Sequence, residues 1–119
     1  MHLTSLGKLF LAAENVANVR AYARRTGLPG KTPHSLTHPG ALEKELEKIR
    51  RHDVAYDNEE AEIGLRCIAS PIRNDEGLIV AGLSISAPTD RHNPGWMAQI
   101  KETATAISHA LGYRQQRTV

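Results

Sequence analysis

The sequence predicts a mixed α/β (α+β) domain in which an antiparallel sheet is flanked by helices. Three observations carry that prediction. Apolar residues recur at helical spacing in four stretches, strict alternation marks residues 65–72, and Asn74-Asp75-Glu76-Gly77 separates that run from a second alternating run at 78–86. One period calls for helices and the other for paired strands, so both must share a single core.

The elements follow in order. Thr4 and Ser5 precede the apolar series Leu6, Leu9, Phe10 and Leu11, the pattern of a helix start whose first turn leaves backbone N–H groups without partners. Val16, Val19, Tyr22 and Ala23 mark a second, short helix, and Gly27 is placed to stop it. Three prolines, Pro29, Pro33 and Pro39, with Gly30 and Gly40, make residues 28–40 a connecting loop long enough to cover a pocket. Leu42, Leu46 and Ile49 form one face of a charged third helix with Pro39 near its start, and this helix is expected to lie on the sheet. A short strand at 54–56 comes next. In the run 65–72, Leu65, Cys67 and Ala69 fall opposite Arg66, Ile68 and Ser70. After the Asn74–Gly77 hairpin turn, Leu83 and Ile85 pack apolar side chains while Val80, Gly82, Ser84 and Ser86 make a smaller, more polar floor. The chain closes with Pro94 near the start of a helix whose stripe is Trp96, Ile100, Ile107 and Leu111, ended by Gly112.

Composition bounds the function. At 119 residues with 40% hydrophobic side chains the chain makes one domain with a modest core. Fifteen basic residues against thirteen acidic ones leave a net charge of +2, scattered and not massed, which points to neither a nucleic-acid surface nor an acidic partner. A single cysteine excludes an internal disulfide framework and a thiolate-rich zinc site. No apolar run reaches the ~18 residues a bilayer requires, so the chain reads as soluble and cytoplasmic, with no membrane partner. His34 and His38 have a spacing that suits a metal on a helix, but the prolines around them argue for a loop, and no third ligand is evident; neither metal nor cofactor is expected. The candidate site lies elsewhere. Asp57, Cys67, Ser84 and Ser86 put a carboxylate, a thiol and two hydroxyls on or beside segments that otherwise read as buried strands, where polar groups need partners.

The order of short motifs then carries a resemblance. His2-x-Thr4-Ser5-x-Gly7-Lys8, Tyr56-Asp57-x-Glu59-Glu60, Gly64-x-x-Cys67-Ile68-Ala69-x-Pro71, Leu83-Ser84-Ile85-Ser86-x-Pro88 and Ile107-Ser108-x-x-Leu111-Gly112 together resemble the C-terminal effector-binding domain of IclR-type bacterial transcription regulators. The resemblance spans nearly the whole chain. It implies a GAF-like or profilin-like fold that binds a small carboxylate metabolite and thereby alters how dimers or tetramers hold operator DNA. It also implies that a winged helix-turn-helix, a linker helix and the opening strands of the sensor domain precede the position of His2 in such regulators. Residues 1–119 are therefore expected to be a truncated effector-binding domain, with DNA reached only through a domain absent from this chain.

Under the same resemblance the effector site falls on the backbone N–H groups of Ser5 and Leu6 and on the side chains of Asp57, Cys67, Ser84 and Ser86. A helix start suits a carboxylate, because unpaired N–H groups coincide with the positive end of the helix dipole. An ionised Asp57 only accepts hydrogen bonds, so it should face ligand hydroxyls and repel the ligand's acid group, which favours a hydroxylated or keto acid. Ser84 and Ser86 each offer a donor and an acceptor, and Cys67 is compact enough to let a ligand lie close to the sheet. Leu6 stands where smaller residues are common in the family and is expected to narrow the pocket or change its wall. The stretch from Thr26 to His34 is similar to sugar-acid regulators of the family. Asp57→Ala and Ser84→Ala are each expected to weaken effector binding with the fold intact.

Each assignment has a plainer counterpart. Free cysteine is most often a small core residue, the two serines can be satisfied by nearby backbone, and Asp57 with Glu59 and Glu60 reads equally as a solvated turn. Thr4 and Ser5 can simply cap a helix. The alternative function is a small enzyme using Cys67 as nucleophile, which needs a base within hydrogen-bond reach, and nothing in the sequence puts a histidine beside it.

Overall fold

A computed structural model describes residues 2–91, 93 and 95–114. Among them the chain runs α1 (Ser5–Ala13), α2 (Val16–Thr26), α3 (Pro39–His52), β1 (Ala55–Asn58), β2 (Leu65–Arg73), β3 (Ile79–Pro88) and α4 (Trp96–Ala110), with a single 3-10 turn at Thr89–Arg91. The three strands form one antiparallel sheet in the order β1-β2-β3.

Local chemistry sets the helix ends. The Thr4 hydroxyl accepts the Gly7 N–H and the Asn15 side chain accepts that of Asn18, so each opens a helix by replacing a missing intrahelical acceptor. Gly27 closes α2 at φ +69°, a left-handed conformation that a side chain disfavours. Asp53 closes α3 at φ +54°, and its carboxylate receives both terminal nitrogens of Arg73 at 3.0 and 3.2 Å, tying the helix to β2. The Asn74–Gly77 segment makes the expected hairpin turn, with Gly77 at φ +79° and the Asn74 N–H bonded to the Leu78 carbonyl.

Two apolar clusters flank the sheet. On one side Leu9, Leu11 and Ala12 of α1 pack with Val19 and Ala23 of α2, Leu42, Leu46 and Ile49 of α3, and the small strand residues Ala55 and Ala69. On the other, Ile100 of α4 packs with Val54 and Ile68, with Tyr56, Leu83, Ile85 and Trp96 around them. The sheet is thus sandwiched between α1 and α4.

Two expectations change. It is α1 that contacts all three strands, and α3 packs mainly on α1, meeting the sheet through their shared cluster and at its end through the Asp53–Arg73 pair. The buried stripe of α4 is Ile100, Ala104 and Ser108, whereas Ile107 and Leu111 are exposed. Ser108 is held against the sheet by hydrogen bonding: its hydroxyl accepts the Arg73 N–H of β2 at 2.9 Å and donates to the Ala104 carbonyl at 2.9 Å. Gly112 follows α4 at φ +97°; Pro94 lies outside the described residues.

Candidate functional site

Strand register gathers most of the candidate residues. Asp57 of β1 is paired with Cys67 of β2, and Cys67 with Ser86 of β3, so their side chains form one row across the sheet. The next row on that face is Ala55, Ala69 and Ser84, followed by Pro71 and Gly82. This is the face that α1 covers. Small residues there let the helix approach closely: a Cβ on Gly82 would lie 2.5 Å from the Leu6 side chain, so Leu6 sits directly over β3. Leu6 therefore lies beside the row that contains Ser84.

The start of α1 is arranged as the sequence suggested. The Gly7 N–H goes to the Thr4 hydroxyl and the Lys8 N–H to the Thr4 carbonyl, which leaves the N–H groups of Ser5 and Leu6 as those the helix does not satisfy internally. Ser5 is buried. Cys67 is half-buried, with its sulfur 3.1 Å from the Ser86 hydroxyl. Ser84 and Ser86 are exposed, because β3 is an outer strand of this sheet. The row is therefore buried at its β1 end, at Asp57, and exposed at its β3 end, at Ser86.

Asp57 does more than line it. At 2% exposure, its Oδ1 accepts the backbone N–H of Glu60 at 2.8 Å and that of Ala61 at 3.4 Å, fixing the turn that follows β1. Both bonds use Oδ1. Asp57→Ala would thus loosen this turn as well as alter the hollow, whereas asparagine keeps an acceptor in the same place.

Sequence reasoning assigned no role to the groups that hold the turn from outside. Lys8, 1% exposed, donates from Nζ to the Tyr56 carbonyl at 2.7 Å and to Glu60 Oε2 at 2.7 Å, with Oε1 also 2.7 Å away. Glu60 Oε2 in addition accepts the Asn58 N–H at 3.0 Å. The loop between α2 and α3 joins in: the Thr32 hydroxyl donates to the Glu59 carbonyl at 2.6 Å and the Ser35 hydroxyl to that of Glu60. His2, also buried, meets the Tyr22 hydroxyl through Nδ1 at 3.0 Å and the Pro29 carbonyl through Nε2 at 2.9 Å. Because a carbonyl only accepts, the proton of the neutral ring is on Nε2, and Tyr22 donates to Nδ1. Burial holds the His2 pKa below the ordinary 6.5, against the opposing pull of the Pro29 carbonyl. A lysine amid apolar helix residues was the one available signal for this network, since burial of its charge demands a paired carboxylate.

Comparison with known proteins establishes the family. The model of the bacterial transcriptional regulator IclR C-terminal family matches residues 1–109. The HTH-type transcriptional regulator KdgR of Dickeya chrysanthemi is 34% identical over 117 residues, covering 95% of this chain and 38% of its own length. Among solved structures, the C-terminal domain of the Escherichia coli transcriptional regulator KdgR superposes with a TM-score of 0.83 at 34% identity, over 94% of this chain and 71% of that one. A double mutant of the PobR inducer-binding domain from Acinetobacter, solved as a 3-hydroxybenzoic acid complex, gives 0.82 at 28% identity, over 90% and 64%. The chain spans less than half the length of the curated relatives it matches. These relatives are transcription regulators, not enzymes, and the hydrogen-bond partner of Cys67 is a serine and not a histidine, so the nucleophile reading falls. With the family match extending over residues 1–109 and the same fold in its solved members, this chain belongs to the IclR family of bacterial transcription regulators, of which it represents the C-terminal, effector-binding region.

Proposed function

We propose that this domain captures a small organic acid between the start of α1 and the Asp57–Cys67–Ser86 row, and that capture modulates DNA binding by a longer parent. The observation that carries the reading is the convergence of two unlike polar surfaces on one sheet face: helix N–H donors from Ser5 and Leu6, and an acceptor row on the strands. The acid group belongs at the donors, where the helix dipole favours an anion. Asp57 Oδ2, which takes no part in the turn, accepts from a ligand hydroxyl, while Ser84 and Ser86 contact the remaining polar atoms and Cys67 the flat of the molecule. A hydroxylated or keto acid of the sugar-acid type meets these demands. A hydroxylated aromatic acid bound by the Acinetobacter relative is of the same general chemistry.

In the parent, DNA is held through a winged helix-turn-helix outside this chain, in a dimer or tetramer, and the site of action is the cytoplasm. The domain itself needs no cofactor. Calorimetric titration with 2-keto-3-deoxygluconate, pyruvate and 3-hydroxybenzoate tests the site. At least one of these acids should bind, and Asp57→Asn and Ser84→Ala should each weaken that binding by about 1–3 kcal/mol without lowering the melting temperature appreciably. Unchanged affinity in both variants would remove the site from this face.

A further inference from the structure

We infer a second organic-anion site, in the groove where α2 meets the loop leading into α3. The groove has a volume of about 790 Å3 and shares no lining residue with the sheet-face site. That volume is within the roughly 300–1,000 Å3 typical of small-molecule sites. Its lining is largely apolar, with Ala17 and Ala23 from α2 opposite Leu28 and Pro39. Its charged lining is Arg20 and Arg24 from α2 and Glu43 from α3.

Arg20 and Arg24, one helical turn apart, both line it. Arg20 is already engaged, with Nε 3.2 Å from Glu43 Oε1 on the opposite wall. Arg24 makes no ion pair or hydrogen bond among the described residues. An exposed arginine needs no explanation by itself; an uncommitted guanidinium at the lip of an apolar trough offers a planar pair of donors to a carboxylate whose body lies in the trough. The backbone supports a formed groove. Gly27 and Leu28 are consecutive left-handed residues at φ +69° and +49°, and the second is a branched apolar side chain in a conformation it disfavours, held there by complete burial. That bend shapes the wall, and a Cβ on Gly27 would meet nothing within 4 Å, so the space beside it is open.

The ligand class follows: a monocarboxylate on a flat or short apolar body, with few hydroxyls, since the lining offers little beyond the Thr37 hydroxyl to receive them. It differs from the hydroxyl-rich acid that the Asp57 row suits.

Benzoate is the probe, with benzyl alcohol as its neutral counterpart, titrated into the 15N-labelled chain and followed by amide shifts. Saturable shifts should cluster at Ala17, Ala23, Arg24, Gly27 and Leu28. Arg24→Ala should weaken them by about tenfold, as for a lost charge-assisted hydrogen bond, and benzyl alcohol should bind correspondingly less well. Ala17→Trp, which fills the groove from an exposed helix position, should abolish the shifts while the remaining amide spectrum stays dispersed. Ser84→Ala should leave them unchanged, which separates this site from the sheet-face hollow. The inference is overturned by shifts confined to the neighbourhood of Ser5, Asp57 and Ser84, by a linear response without saturation, or by equal binding of the neutral alcohol.

Discussion

Lys8 shows how a single side chain can decide whether the candidate hollow exists. Its ammonium is buried against Glu60 and the Tyr56 carbonyl, and one lost partner strands the other charge away from water. Lys8→Met and Glu60→Gln should each lower unfolding free energy by about 3–5 kcal/mol in urea titrations, and the Lys8→Met/Glu60→Leu pair should recover part of that loss. Equal stability of wild type and both single variants would mean that the pair holds nothing. His2 supplies a pH signature. Its folded pKa lies below 6.5, so the unfolded chain takes up the proton first; its contribution is complete above that pH and fades as pH falls through the interval beneath it. The urea midpoint should therefore decline from pH 7 toward 5.5 more steeply in wild type than in His2→Gln. The common face of Ser84 and Ser86 was legible because a period of two is a property of extended backbone, whereas Cys67 joins them through strand register, which the family resemblance and not the alternation implied. The turn around Asp57 was legible as a local alternative, since the carboxylate bonds backbone only three and four residues on, but Lys8 reaching across to Glu60 was not, because long-range pairing leaves no local period.

Elements were legible where a residue's own chemistry ends or begins them. Thr4 and Gly27 marked their helix boundaries because a cap is a local hydrogen bond or a local left-handed turn. Which surface a helix covers was less legible. The apolar face of α3 is genuine, but its main partner is α1, and α4 buries Ser108 in preference to Ile107 because the serine hydroxyl takes up the Arg73 N–H of β2. The α1–β3 contact yields a test at this scale. Gly82→Ala places a methyl 2.5 Å from Leu6 and should destabilise by about 1–3 kcal/mol through overpacking. Adding Leu6→Ala should make the penalty of Gly82→Ala largely disappear in a double-mutant cycle. Strict additivity would show that the helix and strand do not meet there.

For the molecule as a whole, the telling asymmetry lies between the sheet's two sides. β1 is four residues long, whereas β3 presents ten on its outer side and carries no charged residue from Ile79 to Pro88. Natural edges are usually blunted by charge, proline or brevity, so β3 should recruit another strand. Light scattering of the isolated chain should show mass rising with concentration, and Val80→Lys, at an exposed position of β3, should suppress the rise. A constant monomeric mass at all concentrations would refute this. The turn after β1 gives the molecule its internal wiring. Asp57 clasps it from the strand, Lys8 from a helix, and Thr32 with Ser35 from the α2–α3 connection. Any displacement of Asp57 would therefore be passed at once to α1 and to the α2–α3 connection, which makes this turn a junction for three parts of the fold.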